Sequence, residues 1–342
     1  MKSKIIFWAC LVCAVAVGKD VQPQPYYGVV GQRLATMMTR YHVLQQPMDD
    51  DISQRAWTNL VTFYDYDHSV FLKSDLEKLA EHEKTIDNEI KGGDISFGFD
   101  IYRLYCERLR ERIDFATNLL ATTEFDFTSN ETYRIRRKDA EWPASTEEAN
   151  DHWRRRLKNE VLAQLLIKEL DAEDAAARKA RKAAGKATAE DVEEEEAEAE
   201  EKAEAEAAPP APELTPAENL VKKYRQYYNT LTEPDEEAVL QHYFSAITRA
   251  YDPHSDYMSP ASKEDFDMDM NLTLCGVGAV LQMDDGALKI AEVMPGGPVD
   301  TDGRIKEGDK IVGVKQGDGE MEDIMWQPMK KTIHKIRGPK GT

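Results

Sequence analysis

Between Asp171 and Pro216 ("DAEDAAARKARKAAGKATAEDVEEEEAEAEEKAEAEAAPPAPELTP") the chain contains almost no large apolar side chain. Such a stretch has nothing with which to bury a core, so the chain must fold on either side of it. A basic block, Arg178 to Lys186, precedes an acidic one, Glu190 to Glu206, which carries eleven acidic residues against one lysine. That single block contributes −10 of the formal net charge of −20. Alanine and glutamate favour a solvated single helix, opposite blocks favour a transient hairpin, and the prolines from Pro209 to Pro216 end the segment. The expectation is a solvated insertion, disordered or a single helix. The charge balance argues against binding nucleic acid or an anionic membrane, because phosphate recognition needs clustered Lys and Arg.

Upstream, from Tyr27 to Leu170, the apolar residues recur at helical spacing. Val30, Leu34, Met37, Met38 and Tyr41 form one stripe; Ala56, Trp57, Leu60, Val61 and Tyr64 form another. "SDLEKLAEHEKTIDNEIKGG" opens with Ser74 and has Glu77 three residues on, a capping box, and stops at Gly92-Gly93. Phe97, Ile101, Leu104 and Tyr105 line one face of a longer helix, which reads as core. No strand alternation interrupts this region, so residues 27–170 are expected to form an all-α domain. Helical texture resumes over residues 217–262.

The first residues read as an export signal. Lys2 and Lys4 precede "IIFWACLVCAVAV", an apolar run too short to span a bilayer, followed by small residues suited to cleavage near residue 18. The alternatives are an uncleaved anchor or a lipid anchor at Cys10. After cleavage Cys106 and Cys275 remain, which do not make a disulfide framework; an oxidising envelope would allow them to pair, and the expectation is buried free thiols.

After residue 262 the texture changes. "GVGAVLQMDDGALKIAEVMPGGPV" reads as two β-strands around an Asp285-Gly286 turn. A Gly308-Asp309 turn leads to a strand from Lys310 to Val314, and a short helix follows near Trp326 to Ile336. Gly276 and Gly278 allow backbone conformations in which successive N–H groups converge, and such a nest attracts an anion. A peptide could place its C-terminal carboxylate there and add its backbone to the strand Ala279 to Met283. The binding residues would be Leu274, Cys275, Gly276, Val277, Gly278, Ala279 and Val280, with Met329, Ile333 and Ile336 forming an apolar wall. Two glycines alone serve equally well for a tight turn between core strands.

The order of parts, glycine loop, strand, turn, strand, "PGGP" corner, "EGDKIVGV" and a helix ending in "IRGPKGT", resembles a bacterial PDZ domain. "GDKIVGV", "RGPKGT" and "YDPHSDYMSP" are similar to the PDZ domain, and the segment leading into it, of tail-specific, carboxyl-terminal processing serine proteases. "YDYDHSVFLKSDLEKL", "FDFTSNETY" and "AEWP" resemble that family's amino-terminal helical domain. The resemblance implies an α+β multidomain chain: a signal peptide (1–18), a helical domain (27–170), the insertion (171–216), a helical connector (217–262) and a PDZ domain (263–342) whose last strand is expected beyond Thr342. It implies capture of proteins by nonpolar C-terminal tails in the periplasm of a Gram-negative-type bacterium. A serine nucleophile and lysine base would lie in a core downstream of the PDZ domain; no residue here is assigned to either role. It also admits an adaptor protein on the helical domain, and membrane contact only through the signal or anchor. A non-catalytic periplasmic PDZ adaptor is the alternative.

"RAYDPHSDYMSP", Arg249 to Pro260, is dense in groups that could do chemistry. Asp252, His254 and Asp256, spaced by two, could converge on a metal. The chain offers no second ligand cluster of comparable density, so neither a metal nor another cofactor is expected. Pro253 stops a helix, and Asp252 and His254 are placed to satisfy the freed backbone groups. His68, in "YDYDHS", sits in a similar phrase and points to a shared structural role.

Overall fold

The computed structural model describes residues 21–184, 214–270, 276–284, 287–315, 317, 319, 321–325 and 329–337. The proposed signal, the acidic block, Leu274, Cys275 and the Asp285-Gly286 turn lie outside the described residues. The chain divides into two compact units, Met1–Tyr257 and Met258–Thr342, and its architecture is α+β. No helix among the described residues is long and apolar enough to cross a membrane.

In the first unit, helices α1 (Pro25–Tyr41), α2 (Asp50–Tyr64), α3 (Lys73–Leu79), α4 (Ile86–Gly92), α5 (Ser96–Thr122), α6 (Thr146–Ala183), α7 (Pro216–Thr232) and α8 (Glu236–Thr248) surround one core. Its centre is aromatic and aliphatic: Phe71, Phe97, Phe99, Trp153, Tyr243 and Phe244 are fully buried. The face of α1 that enters this core differs from the expected stripe. Tyr27, Gly31, Ala35 and Met38 are buried, whereas Met37 and Tyr41 are exposed. Small residues decide the orientation, because Gly31 admits Ile90, Ile95 and Phe244, and a Cβ at Gly28 would stand 2.4 Å from the Gly93 carbonyl oxygen. Close backbone approach outweighs the two larger side chains.

The expected single helix after Ser74 is α3, a 3₁₀ turn (Ala80–His82) and α4, closed by Gly93 at φ 86°. The cap also moves. Asp75, not Glu77, reaches back to the N–H of Leu72 (2.9 Å), and Ser74 lies inside the helix. Asp75 is wholly buried and receives the Arg108 guanidinium through Nε (2.7 Å) and Nη2 (2.9 Å). An ion pair in the core displaced a surface cap, which a local motif does not reveal.

Ser145 caps α6, which runs without a break past Leu170 to Ala183, so the start of the alanine-rich segment is helical. Val161 is the last deeply buried apolar residue of this helix among those described, and Leu165, Leu166, Ile167 and Leu170 are exposed.

In the second unit, α9 (Pro260–Met270) precedes β1 (Ala279–Asp284) and β2 (Ala287–Val293), which pair antiparallel. β2 pairs in turn with β3 (Lys310–Ile311), so β1 is an edge of the order β1-β2-β3. The expected strand Lys310 to Val314 is divided at Val312 into β3 and β4 (Gly313–Val314), the latter pairing with β5 (Glu322–Asp323). α10 (Pro298–Asp302) and α11 (Met329–Ile336) complete the unit.

Candidate functional site

The "DPHS" segment lies in the first unit and is a helix stop. Asp252 Oδ1 accepts the His254 N–H (2.8 Å), and Oδ2 accepts the Ser255 hydroxyl (2.6 Å) and His42 Nε2 (2.7 Å). His254 itself is exposed, so the capping assigned to both residues falls to Asp252. Asp256 turns instead to Arg249. Among the described residues no group of three His, Cys, Asp or Glu is placed to hold a metal.

Ser255, His42 and Asp252 are nonetheless mutually in contact, with 3.1 Å between His42 Nε2 and Ser255 Oγ. A relay needs the acid on one ring nitrogen and the serine on the other. Here both meet Nε2, while Nδ1 accepts the Leu44 N–H (3.3 Å). Nε2 therefore carries the proton, and the nitrogen facing the serine cannot act as a base.

"YDYDHS" is a second stop of this kind. Asp65 is buried and accepts the N–H groups of Ser69, Val70 and Phe71 and the Trp142 indole (3.0 Å). His68, at φ 50°, contacts the Ala140 carbonyl and stacks on Trp142. In both phrases the first aspartate after the helix binds the chain that follows.

In the second unit, a groove of about 480 Å³ lies between the loop 276–279 and helix α11. Val277, Ala279 and Leu281 line it from the strand side, Met329, Ile333 and Ile336 from the helix, and Met294 to Pro298 at its head. Gly278 has φ 77°. Its carbonyl accepts the Met294 N–H (2.9 Å), and the Val277 carbonyl accepts the Val299 N–H (2.9 Å).

Two successive carbonyls thus face the segment 294–299, an arrangement that an extended strand, with its alternating carbonyls, does not allow. In a trans peptide the carbonyl of one residue and the N–H of the next point in opposite directions. The N–H groups of Gly278 and Ala279 therefore point away from that segment, and Gly278 N–H has no acceptor among the described residues. Two adjacent N–H dipoles at the end of an edge strand, beside an apolar groove, can take a carboxylate oxygen and a peptide side chain together.

Of the sequence-derived site residues, Gly276, Val277, Gly278, Ala279, Met329 and Ile333 come together around this groove. Of these, Gly278 is the glycine seen at a positive φ, the backbone region that favours glycine. Val280 is exposed and off the groove, since strand alternation turns Ala279 and Leu281 inward. Sequence reasoning omitted Leu281, which the same alternation would have supplied, and treated the "PGGP" corner as a turn rather than a wall.

A second hollow, about 700 Å³, is bordered by Ile305, Val312 and Met321, but also by Asp309, Lys310 and Asp323, whose net negative charge opposes a carboxylate.

The fold and groove define a PDZ domain following a helical unit, and the PDZ profile matches residues 265–334. The profile described as "Tail specific protease N-terminal domain" matches residues 34–261. The chain belongs to the tail-specific protease family.

It is 29% identical over 312 residues to the "Tail-specific protease" of Haemophilus influenzae, a match covering 91% of this chain and 39% of that protein. It is 27% identical over 128 residues to a "Probable CtpA-like serine protease" of Staphylococcus saprophyticus, covering 36% of this chain and 25% of the relative. The chain therefore spans well under half of either relative's length. A crystal structure of the PDZ domain of a carboxy-terminal protease from Vibrio cholerae, in complex with peptide, is 38% identical, covers 20% of this chain and 70% of that one, and superposes with a TM-score of 0.20.

Proposed function

We propose that this chain is the substrate-capturing part of a periplasmic tail-specific serine endopeptidase, and that its PDZ groove holds proteins by nonpolar C-terminal tails. The observation that carries the reading is that the Val277 and Gly278 carbonyls are both tied to the segment 294–299, which turns the N–H groups of Gly278 and Ala279 away from it beside the groove. A terminal carboxylate would accept both. The residues behind it would extend along β1, and the last side chain would enter the space lined by Val277, Leu281, Met329 and Ile333. No described residue in this lining carries negative charge, and, Arg337 apart, its aliphatic and thioether side chains favour an apolar tail. On this reading, peptide-bond cleavage belongs to the portion of the protease outside the aligned 39% of the Haemophilus protein. Export to the periplasm is supported by Lys2, Lys4 and the apolar run that follows them.

The test is a titration of the purified chain with a peptide ending in apolar residues and with its C-terminal amide. The free acid should bind at least about tenfold more tightly, the scale of one or two charge-assisted hydrogen bonds. Equal affinities would remove the carboxylate from the account.

A further inference from the structure

The two segments at the head of the groove touch backbone to backbone. A Cβ added at Gly278 would stand 2.8 Å from Gly297 Cα and 2.9 Å from Pro298 Cδ. One added at Gly297 would stand 2.9 Å from Gly278 Cα and 3.0 Å from the Met294 carbonyl oxygen. Each glycine fills the space that the other's side chain would need.

The Gly297 side of this contact is held by bonds of its own. Gly297 N–H donates to the Met294 carbonyl (3.0 Å), and the Gly297 carbonyl accepts both the Thr301 N–H and hydroxyl (each 2.9 Å). Gly296, at φ 77°, donates its N–H to Asp300 Oδ2 (2.8 Å). The "PGGP" corner is thus a braced support, and the loop 277–278 rests against it through the carbonyls of Val277 and Gly278.

We propose that Gly297 is a positioning residue for C-terminal carboxylate capture, acting through Gly278. This inference rests on the reading of the groove given above. The peptide units 277–278 and 278–279 are planar, so their N–H directions follow from where their carbonyls are tied. Displacing Gly278 by the few tenths of an ångström that a methyl at Gly297 requires turns both N–H groups off a common point. The side chains that β1 and α11 contribute to the groove are unchanged by the substitution. The residue therefore governs recognition of the charged end more than burial of the tail.

Gly297→Ala tests this with the same peptide pair. The expected result is a fall of the acid-to-amide affinity ratio from about tenfold to about twofold or less, with the amide's own affinity falling by a smaller factor than the acid's. Asp300→Ala releases the Gly296 N–H without adding volume at the contact, and is expected to lower the ratio in the same direction by a smaller factor. It reads the same quantity if Gly297→Ala unfolds the domain.

An unchanged ratio in a folded variant would overturn the inference, as would parallel losses for acid and amide, which mark a merely structural role. A ratio of one in the parent chain would instead overturn the proposed function, so the two failures are distinguishable.

Discussion

His42 and Asp252 are 210 positions apart in sequence and meet at 2.7 Å, joining the end of α1 to the turn that ends α8. The contact makes His42, rather than His254, the histidine on which the "DPHS" turn depends. His42→Ala removes a bond to a charged acceptor and should cost about 1–3 kcal/mol in urea unfolding. His254→Ala, at an exposed position, should stay within about 0.5 kcal/mol of the parent chain. The opposite order would contradict the assignment.

The Asp252 carboxyl is held down to about 2, first by the Ser255 hydroxyl, then by the His254 N–H and His42. A folded pKa below the unfolded value of about 3.9 stabilises the fold above that value and ceases to do so as pH falls through the folded one. The stability difference between the parent chain and Asp252→Asn should therefore be constant near neutrality and narrow between about pH 4 and pH 2. Parallel curves across that window would exclude the mechanism.

Asp65 accepts three backbone N–H groups and the Trp142 indole N–H in a buried site. Asp65→Ala leaves these donors without an acceptor and should destabilise the helical unit by about 3 kcal/mol or more, read from its unfolding midpoint. Asp67→Ala, its exposed neighbour, is the matched comparison and should have little effect.

Strand alternation turns Leu281 and Val280 to opposite sides of β1. Leu281 lines the groove, whereas Val280 is exposed off it. Leu281→Ser should weaken binding of an apolar-tailed peptide by about tenfold, on the scale of burying half a leucine side chain. Val280→Ser should leave the dissociation constant within about twofold.

Long-period features of the fold were readable from residue order: the helical unit, the strand pair around Asp285-Gly286, and the groove built on Gly278, Met329 and Ile333. What the sequence concealed depended on contacts between distant segments. Asp75 displaced the Ser74 cap because Arg108, on another helix, completes its ion pair. Met37 and Tyr41 stay outside because Gly28 and Gly31 let α1 approach α4 more closely than larger residues would. Gly297 looked like a turn residue because its importance lies in the Gly278 backbone it touches. Periodicity reports which face of an element is apolar, but not which small residues a neighbour will use.

The proposed capture places a carboxylate on the N–H groups of Gly278 and Ala279. The backbone amide NMR spectrum of the chain, titrated with the apolar-tailed free acid and with its amide, reads this at the two groups themselves. The free acid should move the Gly278 and Ala279 amide protons strongly downfield, and the amide should move them far less. Binding of the free acid with both resonances unmoved, and shifts gathered instead around Ile305, Val312 and Met321, would contradict the account.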